Sequence, residues 1–199
     1  ARRGLFVAER GLRLTDAKID TRSIETQLRS LSLMRIVLLS DLHRYREARS
    51  LIDELRPEAE ASGDRVIAAE ASRILGTIEQ MEGDLVAARR ELTRAVHEFR
   101  ELGDQQHLAE ALRSRGFAEV FGGSLADAER RLLEADELFT TVVHDPRGAA
   151  WVQQNLAWVS FLSGDHAVSE RRLRSAIDAF EQLNDRSGRS WSVGLLAYV

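Results

Sequence analysis

The stretch Asn155–Phe180, NLAWVSFLSGDHAVSERRLRSAIDAF, holds two helix-like runs on either side of a Gly164-Asp165 turn. In the first run Trp158 and Phe161 stand about one helical turn apart. In the second, Ser169, Leu173, Ala176 and Phe180 follow at intervals of four, three and four, which puts them on one face of a helix. The turn between suits its residues, since glycine can take the left-handed C-cap and aspartate can accept backbone N–H bonds as the next N-cap.

This pattern repeats. Gly164-Asp165 recurs as Gly123-Ser124, Gly83-Asp84 and His43-Arg44, at spacings of 41, 40 and 40. A second series runs in step: Gly63-Asp64, Gly103-Asp104, His144-Asp145 and Asn184-Asp185. Two turns per 40 residues mean two helices per repeat. Four ladders of equivalent residues agree: Ala48, Ala88, Ala128, Ser169; Ile52, Leu92, Leu132, Leu173; Leu55, Ala95, Ala135, Ala176; and Ala59, Phe99, Phe139, Phe180. They predict one buried face on each second helix, with small residues where helix axes approach closely.

The pattern predicts first helices at 25–42, 65–82, 105–122, 147–163 and 186–199, and second helices at 2–13, 44–61, 85–102, 125–142 and 166–183. LRLTDAKID, before Ser23, breaks the period. Pro57 is expected to kink or shorten its helix, because an interior proline removes a backbone hydrogen bond. Asp145-Pro146 reads as a cap followed by proline at the first helical position. The repeats divide as 1–22 (partial), 23–64, 65–104, 105–145, 146–185 and 186–199 (partial), within one all-α domain over 1–199. Both ends read as cut, because RSWSVGLLAYV continues the pattern and then stops. The expectation is a fragment of a longer protein whose last helix exposes an apolar face.

Composition narrows the function. With 44% hydrophobic and 30% charged residues, the chain can bury a core and is not compositionally disordered. No apolar run approaches the roughly 18 residues of a membrane span, and no signal-peptide order opens the sequence, so a cytoplasmic location is expected. Zero cysteines exclude disulfides, thiolate catalysis and Cys-based zinc sites. A net charge of -4 argues against direct nucleic-acid binding, which rests on an excess of Lys and Arg. Lys18 is the one lysine, and this arginine bias with abundant alanine fits a GC-rich bacterial genome.

The order Leu156-Ala157, Gly164, Ser169, Leu173, Ala176, Phe180 resembles the tetratricopeptide repeat, and Leu75-Gly76, Gly83, Ala88, Leu92, Ala95, Phe99 matches it more closely. The resemblance runs from about Ser23 to the end. The repeats depart from the usual unit in being about six residues longer and in lacking the proline near the end of the second helix. Long repeats of this kind resemble those of kinesin light chains and of sensor regions in bacterial signal-transduction ATPases and transcription activators. The resemblance implies a right-handed superhelix of about four to five antiparallel helix pairs, with first helices lining a concave groove.

On the matching positions that groove would be lined by Glu70, Arg73, Thr77 and Gln80; by Glu110, Arg113, Phe117 and Val120; by Trp151, Gln154, Trp158 and Phe161; and by Trp191 and Tyr198. It changes from charged to aromatic along its length. Rigid aromatics would supply contact area, and Arg73 and Arg113 would engage a carboxylate. Against this stands packing of the tryptophans between repeats and ordinary Glu-x-x-Arg surface pairs. The chaperone-tail clamp of some such repeats needs groove asparagines, and Ile74, Ser114 and Phe117 stand there instead. A second ladder, Arg89-Arg90, Arg130-Arg131 and Arg171-Arg172, is interspersed with Glu91, Glu129, Glu134 and Glu170 and reads as a solvated face.

Catalytic signals are absent. His43, His97, His107, His144 and His166 are scattered, and Glu101 stands where His97-Glu98 would need a second histidine for a zinc-protease motif. No phosphate-binding, nucleophile-elbow or dinucleotide glycine motif occurs. The expectation is a module without cofactor, metal or enzymatic activity, binding a protein or peptide segment as part of a bacterial regulatory protein. The alternatives are a small-molecule sensor, for a sugar for example, and a self-association module dimerising through the terminal helix.

Overall fold

A computed structural model describes residues 21–199, and the expected helix at 2–13 and partial repeat at 1–22 lie outside or at the edge of them. Every regular element among the described residues is helical. In chain order these are α1 (Thr21–Asp41), α2 (Tyr45–Ser62), α3 (Arg65–Glu82), α4 (Leu85–Leu102), α5 (Gln105–Gly122), α6 (Leu125–Glu137) with a π-helical turn (Leu138–Val143), α7 (Pro146–Leu162), α8 (His166–Gln182) and α9 (Arg186–Leu196). None of them is long and apolar enough to cross a membrane. The described residues form two compact units that divide between Ile74 and Leu75. In the first, α1 packs on α2; in the second, α4 to α9 each pack on the next, and α5 also touches α7, as α7 touches α9.

The turns follow the repeat. Gly63, Gly83, Gly103 and Gly164 adopt positive φ, and His43, His144 and Asn184 take the same left-handed conformation in the turns without glycine. Asp84, Asp104, Asp145, Asp165 and Asp185 each accept a backbone N–H bond that caps the following helix. One turn departs: Gly123 has φ -134°, and Ser124 makes no side-chain cap. Pro57 does not shorten its helix, since α2 runs on to Ser62 and the αL cap Gly63. The terminal helix is shorter than expected, ending at Leu196.

All four ladders are buried, from Ala48, Ile52, Leu55 and Ala59 to Ser169, Leu173, Ala176 and Phe180. A serine is accommodated in the alanine ladder because Ser169 Oγ donates to the Ala157 carbonyl at 2.9 Å. First helices contribute glycines at the closest approaches. A Cβ on Gly148 would lie 2.5 Å from the Phe139 ring, and one on Gly188 2.4 Å from the Phe180 ring. In the preceding repeat His107 holds this place and stacks on Phe99 at 5.1 Å.

The expected helix at 125–142 is instead α-helical only to Glu137 and π-helical from Leu138 to Val143. The cause is arithmetic. From Gly123 to His144 the chain has 21 steps, where Gly83 to Gly103 and Gly164 to Asn184 have 20. Phe139 keeps its register with Phe99 and Phe180, so the extra residue falls after it and is absorbed as a wider turn. The closing bond shows the insertion directly: Asp145 N–H reaches back to the Phe139 carbonyl at 2.9 Å, six residues away, whereas Asp104 and Asp185 reach Phe99 and Phe180, five away. Deleting Thr141 is therefore expected to change unfolding free energy by less than about 1 kcal/mol. Deleting Glu134, upstream of the rung, should rotate Phe139 by about 100° out of the core and cost several-fold more. Urea denaturation of the two deletion variants checks this.

Candidate functional site

Within the second unit, the open strips of α5 and α7 carry aromatic side chains in mutual contact. Phe117 meets Phe121 edge-on at 5.2 Å between ring centroids. Phe121 meets Trp158 at 5.8 Å, which carries the series from α5 to α7. Trp158 meets Phe161 at 6.1 Å, and Phe161 meets His166 at 5.4 Å. Trp158 then forms a wall, with Ser190, Trp191, Gly194, Leu195 and Tyr198, of an open cleft of about 340 Å³. Trp191 and Tyr198 are 55% and 77% exposed, although they are among the largest aromatic side chains in the chain.

Helical geometry explains why these residues share a strip. Trp151, Trp158 and Leu162 fall within about 40° of one another on α7 at 100° per residue. The strip is narrow because α7 is pressed by α5 and α9 as well as by α6 and α8. Gln154, expected in the groove, lies about 60° round from Trp151 and is buried at 2% exposure. Val120, also expected there, is buried too, and its neighbour Phe121 is the exposed residue. Sequence reasoning missed Phe121, although its place four residues after Phe117 was a usable signal.

The tryptophans are neither wholly core nor wholly free. Trp151 is half-buried, edge-on to Phe180 at 5.2 Å, with the Arg113 guanidinium 6.0 Å from its ring centroid. That cation over an aromatic face is an attractive arrangement. Trp158 and Phe161 pack against the buried cluster of Ala157, Leu173 and Leu195. The Trp158 indole Nε1 is buried and has no hydrogen-bond partner among the described residues. In the first unit Arg73 is committed: its Nε donates to Glu70 Oε2 at 2.8 Å and its Nη2 to Glu70 Oε1. A ligand carboxylate would have to displace Glu70, which is itself 6% exposed.

No family model matches the chain, and no curated protein matches it.

The basic ladder divides in two. Arg89, Arg90, Arg130 and Arg171 are exposed, as expected of a solvated face. Arg131 and Arg172 are not. Arg131 Nε donates to Glu119 Oε1 at 3.1 Å, and Arg115 Nε donates to the same oxygen at 3.3 Å. All three side chains are largely buried. Burial, then the charge of Arg131, push the Arg115 guanidinium down from its ordinary value. Arg172 instead donates to Gln153 Oε1 at 3.0 Å. Among the described residues no group of three His, Cys, Asp or Glu side chains could hold a metal ion.

Proposed function

We propose that the chain is a binding module of the tetratricopeptide type, in which the aromatic strip of the first helices receives a segment of another protein. The supporting observation is the unbroken ring-to-ring series from Phe117 through Phe121 and Trp158 to Phe161, with Trp191 and Tyr198 across a cleft. Aromatic anchors flanked by half-exposed apolar surface are what carries most of the energy in protein recognition. The Arg113 guanidinium near the Trp151 ring adds a cation to the same face. A role in a bacterial regulatory protein rests on the resemblance of the long repeats.

The test is a peptide-display selection on the intact chain, with selected peptides measured by titration calorimetry. Phe121→Ala and Trp191→Ala remove exposed rings and should each weaken the selected peptides about tenfold or more while leaving the thermal midpoint within a few degrees. Peptides that bind both variants as well as the parent would overturn the proposal. The Trp158–Trp191–Tyr198 cleft also favours a second reading, a single ring such as a sugar, because about 340 Å³ is at the small end of ligand sites. Saturable binding of methyl glucoside, lost in Trp191→Ala, would select that reading.

A further inference from the structure

A second crevice, of about 540 Å³, opens over α7 at Gln153, about 160° round the helix from the strip at Trp151. It is independent of the aromatic strip and of any peptide bound there. Asp136, Thr140, His144, Asp145, Gln153 and Ser175 supply its polar lining, and its walls include Phe139, Ala149, Ala176 and Ala179.

Two observations say that this crevice is more than imperfect packing. The first is a substitution within the repeat. Asp136 and Gln153 occupy the places that Val96 and Leu112 occupy one repeat earlier, and there both residues are buried core. Here the pair is polar: Gln153 Nε2 donates to Asp136 Oδ1 at 3.1 Å, and Gln153 Oε1 accepts from Arg172. Polar groups at core positions cost stability unless they are satisfied or used.

The second observation is the hydrogen-bond inventory of the lining. The Thr140 hydroxyl spends its proton on the Asp136 carbonyl at 2.7 Å. His144 Nδ1 lies 3.0 Å from the Thr140 carbonyl, which can only accept, so Nδ1 carries the proton and Nε2 of the neutral ring is an acceptor. Asp145 Oδ1 is engaged by the Arg147 N–H at 2.9 Å. What is left over is chiefly acceptors, Asp136 Oδ2, Thr140 Oγ, His144 Nε2 and Asp145 Oδ2, beside two donors, the second Gln153 Nε2 proton and the Ser175 hydroxyl. No arginine or lysine is among the lining residues. Acceptors therefore outnumber donors in the lining, which holds two carboxylates and no arginine or lysine nearer than Arg172 on Gln153, between apolar walls.

We propose that the crevice binds a primary ammonium group on a short aliphatic stem, its N–H donors shared among these acceptors and its stem against the alanines. An ammonium has three donors and no acceptor, which suits a lining with two carboxylates and more acceptors than donors. The group can come from a free amine or from a lysine side chain of another protein.

The test is titration of the ¹⁵N-labelled chain with 1,4-diaminobutane, with N-acetyl-lysine methylamide and with 1,4-butanediol, following the Gln153 side-chain amide and the Ala149 and Ala176 backbone amides. Saturable shifts with either amine and none with the diol are expected. Tighter binding of the diamine identifies a free amine as the source, and tighter binding of the lysine derivative a protein side chain. Asp136→Asn keeps the acceptor for Gln153 and should weaken amine binding about tenfold or more. Ala149→Leu, which fills the crevice, should abolish it. Absence of a saturable shift up to about 100 mM amine, equal binding of the diol, or undiminished binding by Asp136→Asn overturns the proposal.

Discussion

Replacing Gly148 by alanine should destabilise the second unit by about 1–3 kcal/mol, although the same change in an ordinary helix interior gains about 1 kcal/mol. The methyl would sit 2.5 Å from the ring of Phe139, which is fully buried, so the ring has to shift to admit it. Phe139→Ala alone removes the ring and should cost about 3–5 kcal/mol. Combined with Phe139→Ala, the new methyl meets no ring, so the double variant should be no less stable than Phe139→Ala alone. Urea unfolding of the four proteins measures the coupling. A Gly148→Ala chain as stable as the parent would show that the helices can part at no cost. Gly188 against Phe180 is the same arrangement one repeat on and should behave alike.

Glu119→Ala should cost about 3–5 kcal/mol, a large loss for one side chain, because it leaves Arg115 and Arg131 buried without their common partner. The cost is that of stranding two guanidinium groups rather than the net worth of the ion pairs. Converting Arg115, Glu119 and Arg131 together to leucine should recover most of the loss. Thermal and urea midpoints of the single and triple variants decide the matter. A triple variant as unstable as Glu119→Ala would mean that the carboxylate acts through something other than its two arginines.

The repeat was legible because it is written in apolar periodicity. Every rung from Ala48 to Phe180 could be placed from spacing, and every rung is buried. The aspartate caps were legible for the same reason. What could not be read depends on neighbours that one helix does not announce. Gln154 looks like a groove residue on an isolated α7 and becomes core because of the helices that flank α7. Arg131 looks like a member of a surface ladder until Glu119, twelve residues away on α5, turns out to be its partner. The polar pair Asp136 and Gln153 sits in plain view at apolar repeat positions, yet only the fold shows that the two meet. Of the aromatic strip, Phe117, Trp158, Phe161, Trp191 and Tyr198 were placed by sequence, whereas Arg73 proves to be taken by Glu70.

The wide turn at Leu138–Val143 also bears on how such a chain can change length over evolutionary time. A residue gained between two rungs shifts every later contact of that helix and is removed by selection. A residue gained after the last rung leaves the preceding contacts as they were and is taken up before the next cap. The segment following Phe139, and by the same logic those following Phe99 and Phe180, are therefore the joints at which repeats of this family of lengths can drift apart in sequence. They are also the places where a reporter loop could be grafted with the core left intact.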